Sequence, residues 1–253
     1  MYISDVDVLS QSAVKKYKNA NENPGKYMIR AIMTGFYVIV AIILSYTLGA
    51  ILYPKYPEVS KVLVAATFSF ALALIVFLSG ELFTGNNLVM SVGMYTKKTT
   101  LSMAIKVWIY SYIGNFIGSV IVSYLFIKSG ASLGIIQNYI VSVTEAKLNL
   151  PVYQLLIRGM LCNFIVCLGY LSGVKMKTES GKMVMMFWCV FAFILAGFEH
   201  SIANMGVFSI AQFAVGGFPI SLMARNLLWV TIGNIIGGGL LLGLPVVAMS
   251  IEE

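Results

Sequence analysis

His200 is the only histidine of the chain, and it sits in Gly197-Phe198-Glu199-His200-Ser201-Ile202-Ala203-Asn204, midway along an apolar stretch from Lys182 to Arg225. A second polar interruption, Gly80-Glu81-Leu82-Phe83-Thr84-Gly85-Asn86-Asn87, breaks the apolar stretch from Lys61 to Lys97. Ionisable groups at membrane depth are costly, and they usually mark a path for ions or protons. An imidazole there can donate a hydrogen bond or carry a proton. Glu81 and Glu199 would repel anions if they lined such a path. They are read instead as bracing the broken backbone, accepting hydrogen bonds from its unpaired amides.

Other chemistries fail on the residue inventory. His200 and Ser201 are chain neighbours, which rarely face one another as base and nucleophile, and no Gly-x-Ser-x-Gly elbow is present. One histidine cannot supply paired axial haem ligands. One His, two Glu and no suitably spaced Cys are too few for a metal site. No cofactor and no metal are expected, and the chain is not read as an enzyme.

The elements that position these residues follow from hydropathy. With 59% hydrophobic and 11% charged residues, this is an all-α integral membrane protein. Six spans are expected: Tyr27–Leu52, Val62–Tyr95, Val107–Ile127, Val152–Val174, Met183–Phe218 and Asn226–Met249. One crossing takes roughly 20 apolar residues, so the second and fifth are too long and are broken. Irregular backbone at that depth survives only against protein or a watery cavity. Six crossings leave both termini on one face, where 11 of the 17 basic residues also fall. That bias marks the cytoplasmic side of a cell membrane. It also explains the net charge of +7 without nucleic acid. Residues 1–26 lack the apolar core of a cleavable signal. They read either as an amphipathic helix on the inner surface, through Leu9, Ala13 and Tyr17, or as a solvated leader. Cys162, Cys167 and Cys189 fall in apolar runs and read as small core residues rather than a disulfide framework.

The two halves match in order. Ile29-Arg30-Ala31 pairs with Ile157-Arg158-Gly159, Leu78-Ser79-Gly80 with Leu195-Ala196-Gly197, and Ile113-Gly114-Asn115 with Ile232-Gly233-Asn234. Three spans per copy invert the second copy relative to the first, bringing both broken helices together near the midplane. The first repeat then occupies residues 27–127 and the second 152–249, within a single domain covering residues 1–253. Half-helix N-termini aimed at the passage would favour an anion. Glycines in the third and sixth spans are assigned to close helix packing.

The two interrupted segments resemble the signature segments of the formate/nitrite transporter family, and the similarity extends over essentially the whole chain. The resemblance implies an aquaporin-like fold, a homopentamer with one pore per protomer, and passage of small monovalent anions such as formate, nitrite or hydrosulfide. The hydrosulfide channels are the most similar branch. By motif position, His200 would be the central pore histidine, with Thr84 facing it. Leu82 and Phe193 would form constrictions beside that chamber, with Leu72 narrowing the inner side. Asn86 and Asn204 would be polar groups at the breaks, and Lys147 the basic residue of the outer vestibule. Gly85 stands where the family often has Ser, which would make the loop more pliable. The alternatives are an aquaporin-like channel for neutral solutes, although paired Asn-Pro-Ala loops are missing, and a polytopic membrane enzyme.

Overall fold

The computed structural model describes residues 1–252. The helices are α1 (Ile3–Glu22), α2 (Pro24–Leu52), α3 (Pro57–Phe68), α4 (Phe70–Phe77), α5 (Phe83–Tyr95), α6 (Leu101–Lys128), α7 (Leu133–Leu148), α8 (Val152–Lys175), α9 (Glu179–Leu195), α10 (Ser201–Ala214), α11 (Ile220–Ile235) and α12 (Leu244–Ala248). A π-helical turn, Ile236–Gly243, joins the last two. Pro24 and Pro57 sit in first turns, where a missing N–H costs nothing. Thr100 and Thr178 accept from the first-turn amides of α6 and α9.

Five helical stretches are long and apolar enough to cross a membrane. The sixth crossing is the pair α9 and α10, and Pro57–Phe77 with α5 forms the other broken span. Both breaks close in the same way. Ser79 (φ 56°) and Gly197 (φ 75°) adopt the left-handed conformation. The next amides, Gly80 and Phe198, return to the carbonyls of Ile75 at 2.7 Å and Phe193 at 3.0 Å. The expected six-span architecture of two inverted halves is therefore present.

The units are larger than the sequence match. Helix α7 lies outside residues 152–249, yet it serves α10 as α1 serves α5: each supplies a lysine to the carboxylate at its break. Lys16 meets Glu81 at 2.6 Å and Lys147 meets Glu199 at 2.9 Å. Structurally the halves are α1 to α6 and α7 to α12.

Helix α1 is not a solvated leader, and its Leu9 and Ala13 face is covered by protein rather than lipid. It docks on the bundle through buried Val6, Leu9, Ala13 and Ala20, against a cluster that includes Leu88, Val92, Ala104 and Val246. Asp5 pairs with Lys175 at 3.0 Å, and that hydrogen bond holds the Asp5 carboxyl below the usual carboxylate range. The Ile3 amide donates to the Ile251 carbonyl at 3.0 Å, so both ends of the chain share one face. The glycine assignment is correct: a Cβ on Gly118 or Gly237 would strike the backbone carbonyl of Ile32 or Met160. All three cysteines are buried free thiols.

Candidate functional site

Each break starts a new helix at the centre of the molecule. Leu82 is the N-cap of α5 and His200 the N-cap of α10. Both line a small central cavity of about 20 Å³, together with Leu72, Phe193, Val38 and Val166. That volume is about enough for one water. Two helix N-termini, each carrying roughly half a positive charge, therefore converge on one chamber. The placement follows from the sequence: Gly197 and Ser79 let the chain leave one helix, and after three further residues, 198–200 and 80–82, it enters another.

The polar residue on the chamber wall is His200, and the fully buried Thr84 hydroxyl meets its ring, with Nε2 and Oγ1 2.9 Å apart. His200 Nδ1 accepts the Ala203 amide at 3.2 Å and so caps α10. An accepting Nδ1 puts the neutral ring's proton on Nε2, which donates to Thr84. The threonine keeps its own hydroxyl hydrogen. Phe193 stacks on the imidazole with ring centroids 6.0 Å apart. Leu72, Leu82 and Phe193 are each at most 3% exposed, so apolar side chains close the chamber.

Two vestibules flank it. One, of about 290 Å³, lies on the side of the termini among Lys15, Lys16, Arg30 and Glu81, and shares Ile75 with the chamber. The other, of about 550 Å³, opens on the opposite side among Lys61, Lys147, Arg158 and Glu199. Lys147 is thus at the expected mouth, as the partner of Glu199 rather than as a free charge. Burial pulls the Lys16 ammonium down, but Glu81 more than offsets this, and Lys16 ends above its ordinary range. Ser201 does not face the imidazole as a nucleophile would, since Nε2 is turned to Thr84.

The carboxylates do not brace backbone amides. Glu81 accepts from Lys16, from the Tyr27 hydroxyl at 3.0 Å and from Asn86 at 3.3 Å. Glu199 accepts from Lys147 at 2.9 Å and from Asn204 at 2.6 Å. Each carboxylate thus answers a lysine, buried Lys16 or half-buried Lys147, and orients the asparagine five residues on. Asn204 also donates to Asn226.

The backbone braces are Asn115 and Asn234. Asn115 accepts the Phe83 amide at 3.0 Å and donates to the carbonyls of Ala31 and Glu81 at 2.8 and 3.0 Å. Asn234 accepts the Ser201 amide at 2.9 Å and donates to Gly159 and Glu199 at 2.8 and 3.1 Å. A neutral amide suits the task because it donates and accepts at once, whereas an ionised carboxylate only accepts. Gly85 is not in a pliable loop. It is in the first turn of α5, where a Cβ would come within 3.3 Å of the Tyr170 ring.

Comparisons with known proteins agree with this geometry. A family model described as "Formate/nitrite transporter" matches residues 5–248. The nitrite transporter NirC of Escherichia coli (strain K12) is 34% identical over 248 residues, 96% of this chain and 91% of that protein. The formate channel BtFdhC of Bacillus thuringiensis is 32% identical over 212 residues, 83% of this chain and 82% of that one. Among solved structures, one titled "FNT family ion channel" superposes with a TM-score of 0.93 at 30% identity, covering 99% of this chain and 100% of the other. A "Pentameric formate channel with formate bound" gives 0.77 at 25% identity, covering 91% and 98%.

Proposed function

Since this chain belongs to the formate/nitrite transporter family, we propose that it passes small monovalent anions of weak acids, among them hydrosulfide, formate and nitrite, through a pore in each protomer of a homopentamer. The observation that carries the reading is the Thr84–His200 hydrogen bond, set between two helix N-termini in an apolar chamber.

The mechanism follows from charge. An anion entering the chamber sheds water, which costs several kcal/mol or more at membrane depth. The helix termini return part of this as fixed positive potential. Thr84 supplies a hydroxyl hydrogen, and His200 holds that hydroxyl in place by donating to its oxygen. A neutral imidazole cannot give up Nε2–H entirely without becoming an anion itself. The proton that completes neutralisation therefore comes from hydronium reaching the vestibule from solution, and passage rises as pH falls toward the anion's own pKa. Sulfate carries two charges, and its dehydration cost scales with charge squared, so it is rejected. Hydrosulfide has one heavy atom and suits a cavity of about 20 Å³. Formate and nitrite need Leu82 and Phe193 to yield.

The face holding the termini and most lysines is assigned to the cytoplasm. The test is a proteoliposome competition among hydrosulfide, formate, nitrite, chloride and sulfate at several pH values. Weak-acid anions should outrun chloride and sulfate, increasingly so at lower pH. Chloride running fastest would remove the neutralisation step. Osmotic shrinkage with no anion flux would replace the whole reading by a neutral-solute channel.

A further inference from the structure

Arg30 and Arg158 occupy equivalent positions, and each lends its carbonyl to its break. The amide of Glu81 reaches the Arg30 carbonyl at 3.5 Å, and that of Glu199 the Arg158 carbonyl at 3.3 Å. Their side chains are employed differently. Arg30 donates through Nε and Nη2 to the Ser79 carbonyl, at 2.9 and 2.6 Å, and lies 3.5 Å from Glu81. Ser79 is a non-glycine residue in the left-handed region, and the guanidinium pins its carbonyl there. In the second half Gly197 takes the left-handed place with no Cβ penalty. Arg158 is free of that task. It donates instead to Gln154 Oε1, one turn back on its own helix, at 3.0 Å.

The surroundings leave Arg158 as the distinctive cation of its mouth. It lines the 550 Å³ vestibule, where Lys147 and Glu199 answer each other at 2.9 Å. Lys61 and Glu58 are exposed at the rim and well screened. A guanidinium presents a rigid planar fork of N–H donors that matches two oxygens at once, which an ammonium cannot do. Hydrosulfide and chloride have a single acceptor atom and gain nothing from the fork.

The geometry points to Arg158 as the capture residue of this vestibule, selecting planar two-oxygen anions such as formate and nitrite over single-atom anions before either reaches the chamber. This rests on the reading of the chain as an anion passage. It adds a second level of selection: shape at the mouth, and size and charge at the centre.

The test uses the full-length protein in liposomes at low ionic strength, with initial uptake of formate, nitrite and hydrosulfide measured against concentration. Arg158→Lys keeps the charge and removes the fork. It should raise the half-saturation concentration for formate and nitrite by about 3- to 5-fold while leaving hydrosulfide within about 2-fold, with maximal rates unchanged. Arg158→Gln should raise all three. If it fails to assemble, Arg158→Lys alone decides. An equal shift for all three anions in Arg158→Lys, or no shift in an assembled variant, overturns the inference and leaves the passage standing. No anion uptake by the unmodified protein overturns both.

Discussion

Replacing Asn115 by leucine should unseat the first break without opening a cavity. The two side chains are similar in volume, so the loss is in hydrogen bonding. Three partners lose their bonds: the Phe83 amide and the carbonyls of Ala31 and Glu81. Hydrogen bonds between membrane helices average about 0.6 kcal/mol in double-mutant cycles. A buried group left unsatisfied costs about 1 kcal/mol or more. These values bracket the penalty at about 2–4 kcal/mol. Ser119→Ala is the internal control, one turn along the same helix. The Ser119 hydroxyl is buried and has no hydrogen-bond partner among the described residues. Its removal should stay within about 0.5 kcal/mol of neutral. Unfolding free energy measured by steric trapping in bicelles compares the two directly. If Asn115→Leu costs no more than Ser119→Ala, the asparagine brace is not what holds the break.

Further consequences follow from other contacts. Gly118→Ala pushes a methyl into the Ile32 carbonyl and should lower stability by about 1–3 kcal/mol in the same assay, whereas Gly134→Ala, with open space around it, should not. Phe193→Ala removes the ring stacked on His200 and enlarges the chamber, so chloride uptake should rise relative to formate in liposomes. Asp5 has a lowered carboxyl pKa, so the Asp5–Lys175 pair is fully formed above the ordinary Asp range and is lost as pH falls through the lowered value. Hydrogen exchange at the start of α1 should therefore report constant protection from about pH 5 to 8 and a decrease only below the ordinary Asp range, and Asp5→Asn should show that decrease already at neutral pH.

Much of this could be read from the chain. Two over-long apolar stretches broken by Gly, Glu and Asn give the broken spans, and three ordered matches give the inverted repeat. The middle match is one residue out of register, since the structure pairs Ser79 with Gly197 and Glu81 with Glu199. The meeting of Thr84 with His200 came from motif position, and the two side chains do touch. Helix α7 was hidden because its residues, such as Ile136 and Ile140, bury against the bundle without making a span-length run. An amphipathic pattern does not say whether lipid or protein covers the apolar face, so the docking of α1 was illegible. The asparagine braces did leave a signal. Asn115 and Asn234 sit at matched positions in otherwise apolar helices, where a buried amide needs partners. The carboxylates misled because residue type does not reveal that a lysine from a distant helix will claim them.

Anion uptake against pH by the protein carrying His200→Asn is the most direct examination of the central chamber. Asparagine is a good N-cap and keeps α10 in place while removing the ring opposite Thr84. Uptake of formate, nitrite and hydrosulfide should collapse across the whole pH range in an assembled variant. Unchanged uptake with an unchanged pH profile would mean that the Thr84–His200 pair has no part in conduction.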